Sequence, residues 1–230
     1  MKFNGFQKLT LLDYPGKVAC TLFTAGCNLR CPFCHNASLV THIDNVVSYD
    51  EDEILDFLRK RQGILEGVCI TGGEPLMQSG ITEFIKKVKE LGFSVKLDTN
   101  GTFPEKLTML AESKLIDYVA MDIKNCKEKY PVTSGITDLN IGNIEKSVEF
   151  LLSGKIPYEF RTTVVRELHS ENDIQDIGDW IKGDHKYYLQ GFEDSGNLIN
   201  DGLHGYSENE MKSLLNLLKN RIPNAEIRGL

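Results

Sequence analysis

The chain has 230 residues, of which 41% are hydrophobic, and its formal net charge is −7 at pH 7. This length and apolar content allow one large core, and we expect a single domain over residues 1–230. The acidic charge, without any basic block, argues against a nucleic-acid partner held through phosphate contacts. The sequence shows no signal peptide and no apolar run long enough to span a bilayer, so we expect a cytoplasmic protein with no membrane partner.

Strand and helix patterns alternate along the chain. Apolar and β-branched runs predict strands at residues 17–24, 67–71, 94–98, 118–123, 158–165 and 186–190. Apolar residues at helical spacing predict helices at residues 50–65, with Asp50 as N-cap, and at 81–91, 104–114, 141–152, 171–182 and 211–222. Residues 130–139 are predicted to form a loop, and residues 196–205 an irregular segment.

Six alternating strand–helix units predict a parallel sheet with outer helices, either doubly wound or curved into a barrel. Polar segments follow the predicted strands, and α/β barrels collect active-site residues on the loops after their strands. This placement favours the barrel.

Three cysteines, Cys27, Cys31 and Cys34, stand close together after the first predicted strand. Their spacing suits a metal site with three protein ligands and one open position, whereas structural zinc takes four ligands. A zinc site, a disulfide loop or a non-catalytic iron–sulfur protein are the alternatives. The other cysteines stand singly in apolar stretches and are predicted to be buried, namely Cys20, Cys69 and Cys126.

The polar segments after the later strands also carry candidate ligand-binding groups. Glu74 follows a glycine pair, Gly72 and Gly73, and offers a carboxylate to an ammonium group. Arg161 lies within an apolar strand, so it should face an anion, either a ligand or a neighbouring acid such as Glu159 or Glu193.

The spacing Cys-x3-Cys-x2-Cys, with Phe33 before the third cysteine, resembles the radical S-adenosylmethionine (SAM) superfamily. The resemblance implies one radical SAM domain with an incomplete (β/α)6 barrel. It also implies a [4Fe–4S] cluster on the catalytic Cys27, Cys31 and Cys34, with SAM on the open iron. Gly72, Gly73 and Glu74 resemble the family motif that holds the amino group of SAM.

Two further segments, Asp98 to Gly101 and Met121 to Lys124, resemble the glycyl-radical enzyme activases of this superfamily. That resemblance implies that Asp98 and Asp122 help to hold a monovalent cation. It implies contacts with SAM for three residues, Asn36, Lys124 and Arg161. Residues 11–17 resemble the segment that contacts the substrate peptide in pyruvate formate-lyase activases, with Tyr14 in place of a glycine, and this makes Asp13 a candidate peptide contact.

Residues 5–17 and 27–36 together resemble the activating proteins of anaerobic ribonucleoside-triphosphate reductase. The implied function is reductive cleavage of SAM to form a glycyl radical on a partner enzyme. An electron donor such as flavodoxin or ferredoxin is expected as a second partner. Two alternatives keep the same site: activation of another glycyl-radical enzyme, or chemistry on a small molecule as in 7-carboxy-7-deazaguanine synthases.

Overall fold

A computed structural model describes residues 1–41, 47–194 and 196–229. Within these ranges seven parallel strands form most of one sheet: β3 (Ala19–Thr24), β5 (Gly67–Gly72), β6 (Ser94–Thr99), β7 (Tyr118–Asp122), β8 (Tyr158–Val164), β9 (Lys186–Gly191) and β10 (Ala225–Arg228). An eighth strand, β2 (Gly5–Thr10), pairs antiparallel with β3. The strand order is β10-β9-β8-β7-β6-β5-β3-β2, and its two end strands do not pair with each other. The sheet is therefore open at its ends, which agrees with the incomplete barrel that the radical SAM resemblance implies.

Helices follow the strands and cover the outer face of the sheet. They are α1 (Ala37–Thr41), α2 (Glu51–Arg59), α3 (Ile81–Glu90), α4 (Pro104–Glu112), α5 (Tyr130–Ser134), α6 (Ile141–Leu152), α7 (Glu171–Trp180) and α8 (Glu208–Leu218). Alternate strand residues such as Ile70, Leu97 and Val119 pack with helix residues such as Phe84 and Ile144 in one buried apolar core. No helix in the described ranges is long and apolar enough to cross a membrane.

The six strand–helix units are confirmed, but the sequence analysis missed several short or exposed strands. β2 carries polar, exposed residues in its centre, and β10 has only four residues, so neither gives a strong apolar pattern. A separate two-stranded sheet pairs β1 (Lys2–Phe3) with β4 (Tyr49–Asp50). These edge elements depend on pairing with distant strands more than on their own sequence.

Some local predictions were partly wrong. α2 ends at Arg59, not at residue 65, although Leu65 still packs in the core and so continues the apolar pattern beyond the helix. Asp50 occupies the N-cap position, but its side chain makes no capping hydrogen bond. In the predicted loop 130–139, α5 forms with Pro131 in its first turn, where a missing N–H is tolerated.

Tyr14 lies against the N-terminal ends of the strands, inside the barrel. Its side chain is 3% exposed, and its ring centroid lies 6.2 Å from that of Tyr118 at the start of β7. A Cβ on Gly67, at the start of β5, would come within 2.9 Å of the Tyr14 ring, so the glycine makes room for it. Tyr14 thus fills this end of the barrel.

Candidate active site

A cavity of about 260 Å³ lies at the C-terminal ends of the parallel strands. The predicted site residues that line it are Cys27, Cys31, Cys34, Asn36, Gly72, Gly73, Asp98, Asp122, Lys124 and Arg161. Other lining residues had no predicted role, among them Thr99, Asn100, Thr163 and Gln190. Glu74 and Asp13 do not line the cavity.

The three clustered cysteines are held on the loop after β3 by a small apolar cluster. Cys31 is 6% exposed and packs with Leu29 and Phe33, and the other two cysteines border the same cluster. All three thiols are free. Burial raises the pKa of the Cys27 thiol, and it raises the pKa of the Cys31 thiol to about 12. Both are therefore neutral until a metal displaces their protons.

The sulfur of Cys27 has two nitrogen neighbours placed as hydrogen-bond donors. The backbone N–H of Leu29 lies 3.4 Å from Cys27 Sγ, and the side-chain amide of Asn100 lies 3.7 Å from it. Asn100 also donates to Asn28 Oδ1 at 3.0 Å, which joins the loop after β6 to the cysteine loop. Asn100 could have been predicted as a site residue, because it lies in the polar segment that follows a predicted strand.

The glycine pair allows the backbone after β5 to lie directly against the cysteine loop. Gly73 N–H donates to Thr24 O at 2.8 Å, and Glu74 N–H donates to Gly26 O at 2.8 Å. A Cβ on Gly72 would come within 2.3 Å of Thr24 O, and one on Gly73 within 2.0 Å of Gly26 O. Gly72 also has φ +114°, which other residues rarely adopt. No larger residue fits here without moving the loop.

Glu74 is fully buried behind the glycine pair. Its carboxylate accepts hydrogen bonds from the backbone N–H groups of Leu76 and Asn100 at 3.0 and 2.7 Å. The Thr99 hydroxyl donates to it at 2.9 Å. Burial raises the pKa of Glu74 to about 7, although these hydrogen bonds favour the charged form. In this structure the carboxylate stabilises the loops around the cavity.

Five charged side chains of alternating sign form a row across the inner face of β6, β7 and β8: Lys96, Asp98, Arg161, Asp122 and Lys124. Lys96 donates to Asp98 Oδ1, and Arg161 Nη1 donates to Asp98 Oδ2 at 3.1 Å. Arg161 Nε donates to Asp122 Oδ1 at 2.9 Å, and Lys124 Nζ donates to Asp122 Oδ2 at 3.0 Å. We call this set the charged row.

The groups of the charged row keep one another ionised. Burial alone would raise the pKa of Asp122, but Arg161 and Lys124 hold it well below its usual range. Burial would likewise lower the pKa of Lys96, and the carboxylate of Asp98 more than offsets that effect. The expected anion facing Arg161 is therefore the Asp98–Asp122 pair, whereas Glu159 pairs instead with Arg228 at 3.1 Å.

Asn36 and His35 follow the last cysteine of the loop. The Asn36 side-chain amide donates to Gly72 O at 3.0 Å, so it supports the glycine pair from the cavity wall. His35 stacks on Phe192 with ring centroids 5.5 Å apart, and its Nε2 lies 3.0 Å from Glu193 O.

Asp13 lies on the loop after β2, away from the cavity wall. Its carboxylate accepts a hydrogen bond from the Thr21 hydroxyl at 2.5 Å. The adjacent Leu11 and Leu12 are 68% and 87% exposed. Asp13 therefore stands beside an exposed apolar segment.

The predicted burial of Cys20, Cys69 and Cys126 is confirmed. Cys69 Sγ lies 3.8 Å from the ammonium of Lys96, beneath the charged row. None of these three lines the cavity.

The sequence model of the radical SAM superfamily matches residues 21–218, most of the chain. The chain belongs to the radical SAM superfamily. A Methanocaldococcus jannaschii protein is 35% identical over 234 residues, which cover 99% of this chain and 95% of that protein. That protein carries the provisional name glycyl-radical enzyme activating enzyme.

Solved structures share the fold of this radical SAM protein. Streptococcus suis SuiB bound to S-adenosylmethionine aligns with a TM-score of 0.68 and 17% identity, covering 90% of this chain and 49% of SuiB. The chain thus spans about half the length of SuiB. A domain of a pyruvate-formate lyase-activating enzyme from Bacteroides vulgatus aligns with a TM-score of 0.56 and 18% identity, covering 71% of this chain and 99% of that domain.

Membership of the radical SAM superfamily implies a [4Fe–4S] cluster and SAM. The thiols fit the cluster, and the glycine pair, Lys124 and Arg161 line the cavity with polar groups that suit SAM. Three free thiols border the cavity, and nitrogen donors face one of them, as suits a cluster on three cysteines. No group of three His, Cys, Asp or Glu side chains in the described ranges is spaced to hold one metal ion. The thiolates of a cubane bind separate irons, so they need not converge on one point.

The monovalent cation implied by the resemblance does not fit the structure. Asp98 and Asp122 do lie near each other, but each of their four carboxylate oxygens already accepts a hydrogen bond from a cationic side chain. An added cation would have to displace one of these donors, which come from Lys96, Arg161 and Lys124.

Proposed function

We propose that this radical SAM enzyme is an activase that forms a glycyl radical on a partner enzyme, the anaerobic ribonucleoside-triphosphate reductase. The observation that carries the proposal is the near full-length similarity to a protein named as a glycyl-radical enzyme activating enzyme. The likeness of residues 5–17 and 27–36 to reductase-activating proteins favours the reductase as partner.

In this proposal each part of the cavity holds one part of the cofactors. Cys27, Cys31 and Cys34 hold the cluster, and the burial of their loop excludes water. The glycine pair, which lines the cavity, holds the amino group of SAM, and Glu74 supports the loops from behind the pair. When bound, the cluster and SAM supply a 5′-deoxyadenosyl radical, which takes a hydrogen atom from the Cα of the partner's glycine.

The carboxylate of SAM is assigned to the charged row. This row has three cationic and two anionic side chains, so one positive charge is in surplus. Lys124 and Arg161 are the cationic groups of the row that line the cavity, and Asn36 lines it on the side of the cysteine loop. A carboxylate would neutralise the surplus charge.

The partner's glycine loop is assigned to the open side of the incomplete barrel. Asp13 lies on the loop after β2, the strand at one end of the sheet. Leu11 and Leu12 beside it are exposed apolar side chains of the kind that protein partners cover. In this proposal Asp13 accepts a backbone N–H of the glycine loop.

The test is an anaerobic incubation of the cluster-loaded protein with SAM, a reductant and the purified reductase. We expect a glycyl-radical doublet in the electron paramagnetic resonance (EPR) spectrum, with 5′-deoxyadenosine formed in step. Formation of 5′-deoxyadenosine without any doublet would overturn the reductase as partner.

A parallel incubation with pyruvate formate-lyase tests the choice among glycyl-radical enzymes, and we expect no doublet there. To identify the electron donor, flavodoxin or ferredoxin, each reduced beforehand, replaces the chemical reductant.

The Asp13→Asn variant tests the peptide contact. It should lower the radical yield and leave SAM cleavage in the absence of the partner unchanged. Equal yields for this variant and the unchanged protein would remove Asp13 from the peptide site.

A further inference from the structure

Lys96 is a buried cation to which the sequence analysis assigned no role. Its side chain is 2% exposed and lies on the inner face of β6. Burial of a lysine is costly unless an anion pairs with it, and here Asp98 is that anion.

The ammonium of Lys96 lies where a cation ligated by Asp98 would lie. It donates a hydrogen bond to Asp98 Oδ1, while Arg161 Nη1 donates to Asp98 Oδ2 at 3.1 Å. Asp122 is shared in the same way between Arg161 and Lys124. The two carboxylates thus have no oxygen free of a cationic donor.

The charge of the row leads to the same conclusion. With Lys96 included, the charged row has one positive charge in surplus, which matches one carboxylate. A further monovalent cation would raise the surplus to two and would be repelled by the neighbouring Arg161 and Lys124. Without Lys96 the row would be neutral, and an added cation would restore the surplus.

We propose that Lys96 is a built-in replacement for a monovalent cation at Asp98, so that this enzyme binds SAM without needing sodium or potassium ions. Lys96 acts through Asp98 and is a positioning residue. The tethered ammonium loses no translational freedom on binding, unlike a free ion. The inference rests on the assignment of the SAM carboxylate to the charged row, and it does not depend on the partner.

The first test uses the cluster-loaded enzyme alone. Its affinity for SAM is measured by anaerobic titration calorimetry in choline chloride, sodium chloride and potassium chloride at equal ionic strength. We expect the three dissociation constants to agree within about twofold. An affinity that rises about tenfold or more with potassium or sodium would overturn the proposal.

The second test changes Lys96 itself. Lys96→Met keeps the length and apolar stem of the side chain and removes its charge. We expect its affinity for SAM in choline chloride to fall about tenfold, and potassium or ammonium ions to restore it. A structural role alone would not make binding depend on the added cation. Equal and cation-independent affinities in the variant and the unchanged protein would overturn the proposal.

Lys89→Met is the matched control, because Lys89 pairs with Asp117 outside the cavity. This control should bind SAM as the unchanged protein does, in every salt. If Lys96→Met does not fold, the salt series on the unchanged enzyme still decides the question. Failure to activate the reductase would overturn the proposed function and leave these SAM affinities, and the inference from them, unaffected.

Discussion

The backbone N–H of Asn100 donates to the buried carboxylate of Glu74 at 2.7 Å, which joins the loop after β6 to the loop after β5. The side-chain amide of Asn100 lies 3.7 Å from Cys27 Sγ. One residue therefore connects the glutamate of the glycine-rich segment with a cysteine of the cluster loop. Changes at Glu74 should affect both the stability of the loops and the position of Asn100.

Glu74 should make the stability of the protein depend on pH. Burial raises its pKa from a usual value of 4.5 to about 7. Between these values the unfolded chain releases the proton before the folded protein does, so the free energy of unfolding falls as pH rises. The fall amounts to about 3 kcal/mol and ends near pH 7.

The Glu74→Gln variant isolates this contribution, because it has no proton to release. From pH 4.5 to pH 7 we expect the unchanged protein to lose about 3 kcal/mol of unfolding free energy relative to the variant. Urea unfolding of both proteins over this range measures the difference. Parallel pH profiles would contradict the prediction.

Gly73→Ala should displace the cysteine loop. The new Cβ would come within 2.0 Å of Gly26 O, a backbone atom that cannot move without the loop. We expect a loss of about 2 kcal/mol or more in the free energy of unfolding, together with lower iron content after cluster reconstitution. Thermal unfolding and iron analysis measure the two effects.

Gly142→Ala is the control for this substitution. Gly142 lies in α6, and the nearest atom to its added Cβ is Asn140 Oδ1 at 3.2 Å, on a side chain. Alanine is favoured over glycine in a helix, so stability should stay equal or rise slightly, with full iron content. Equal iron content in the Gly73→Ala and Gly142→Ala variants would contradict the steric argument.

Asn100→Ala should make the reduction potential of the cluster more negative. Its amide faces Cys27 Sγ, and donors to a cluster sulfur stabilise the reduced, more negative state. A redox titration followed by EPR measures the potential. Asn143→Ala is the control, because that amide donates to Thr102 O and has no contact with a sulfur. Identical potentials in the two variants would show that the Asn100 contact has no effect.

The placement of most site residues was predictable because parallel strands end at the same edge of a sheet. The segments after β3, β5, β6 and β7 each carried a polar group in the sequence, and the barrel brings them to one cavity. The positions of these segments in the sequence were enough to predict that they meet, because the strand order follows the chain order from β3 to β10. Glu74 was harder to place, since its side chain turns behind the glycine pair into a buried network.

The charged row was not predictable as a unit. Lys96 lies in a strand, where a lysine usually indicates a solvent-facing position. Its burial depends on Asp98, whose other oxygen pairs with Arg161, 65 positions after Lys96 in the chain. The spacing of two residues between Lys96 and Asp98 predicts that both lie on one face of β6, but it does not show that this is the inner face. The pairing of charges across three strands follows from the register of β6, β7 and β8, which the sequence pattern does not determine.

Arg161 should be the most stabilising member of the charged row, because it alone contacts both carboxylates. Arg161→Met leaves Asp98 and Asp122 each with one cationic partner and removes the positive surplus. We expect a loss of about 3–5 kcal/mol in the free energy of unfolding, since one oxygen of each buried carboxylate loses its charge-assisted hydrogen bond. Arg166→Met, which breaks an exposed pair with Glu210, should cost much less, because solvent screens that pair. Urea unfolding at pH 7 compares the variants, and similar losses in both would show that the row contributes no more than a surface pair.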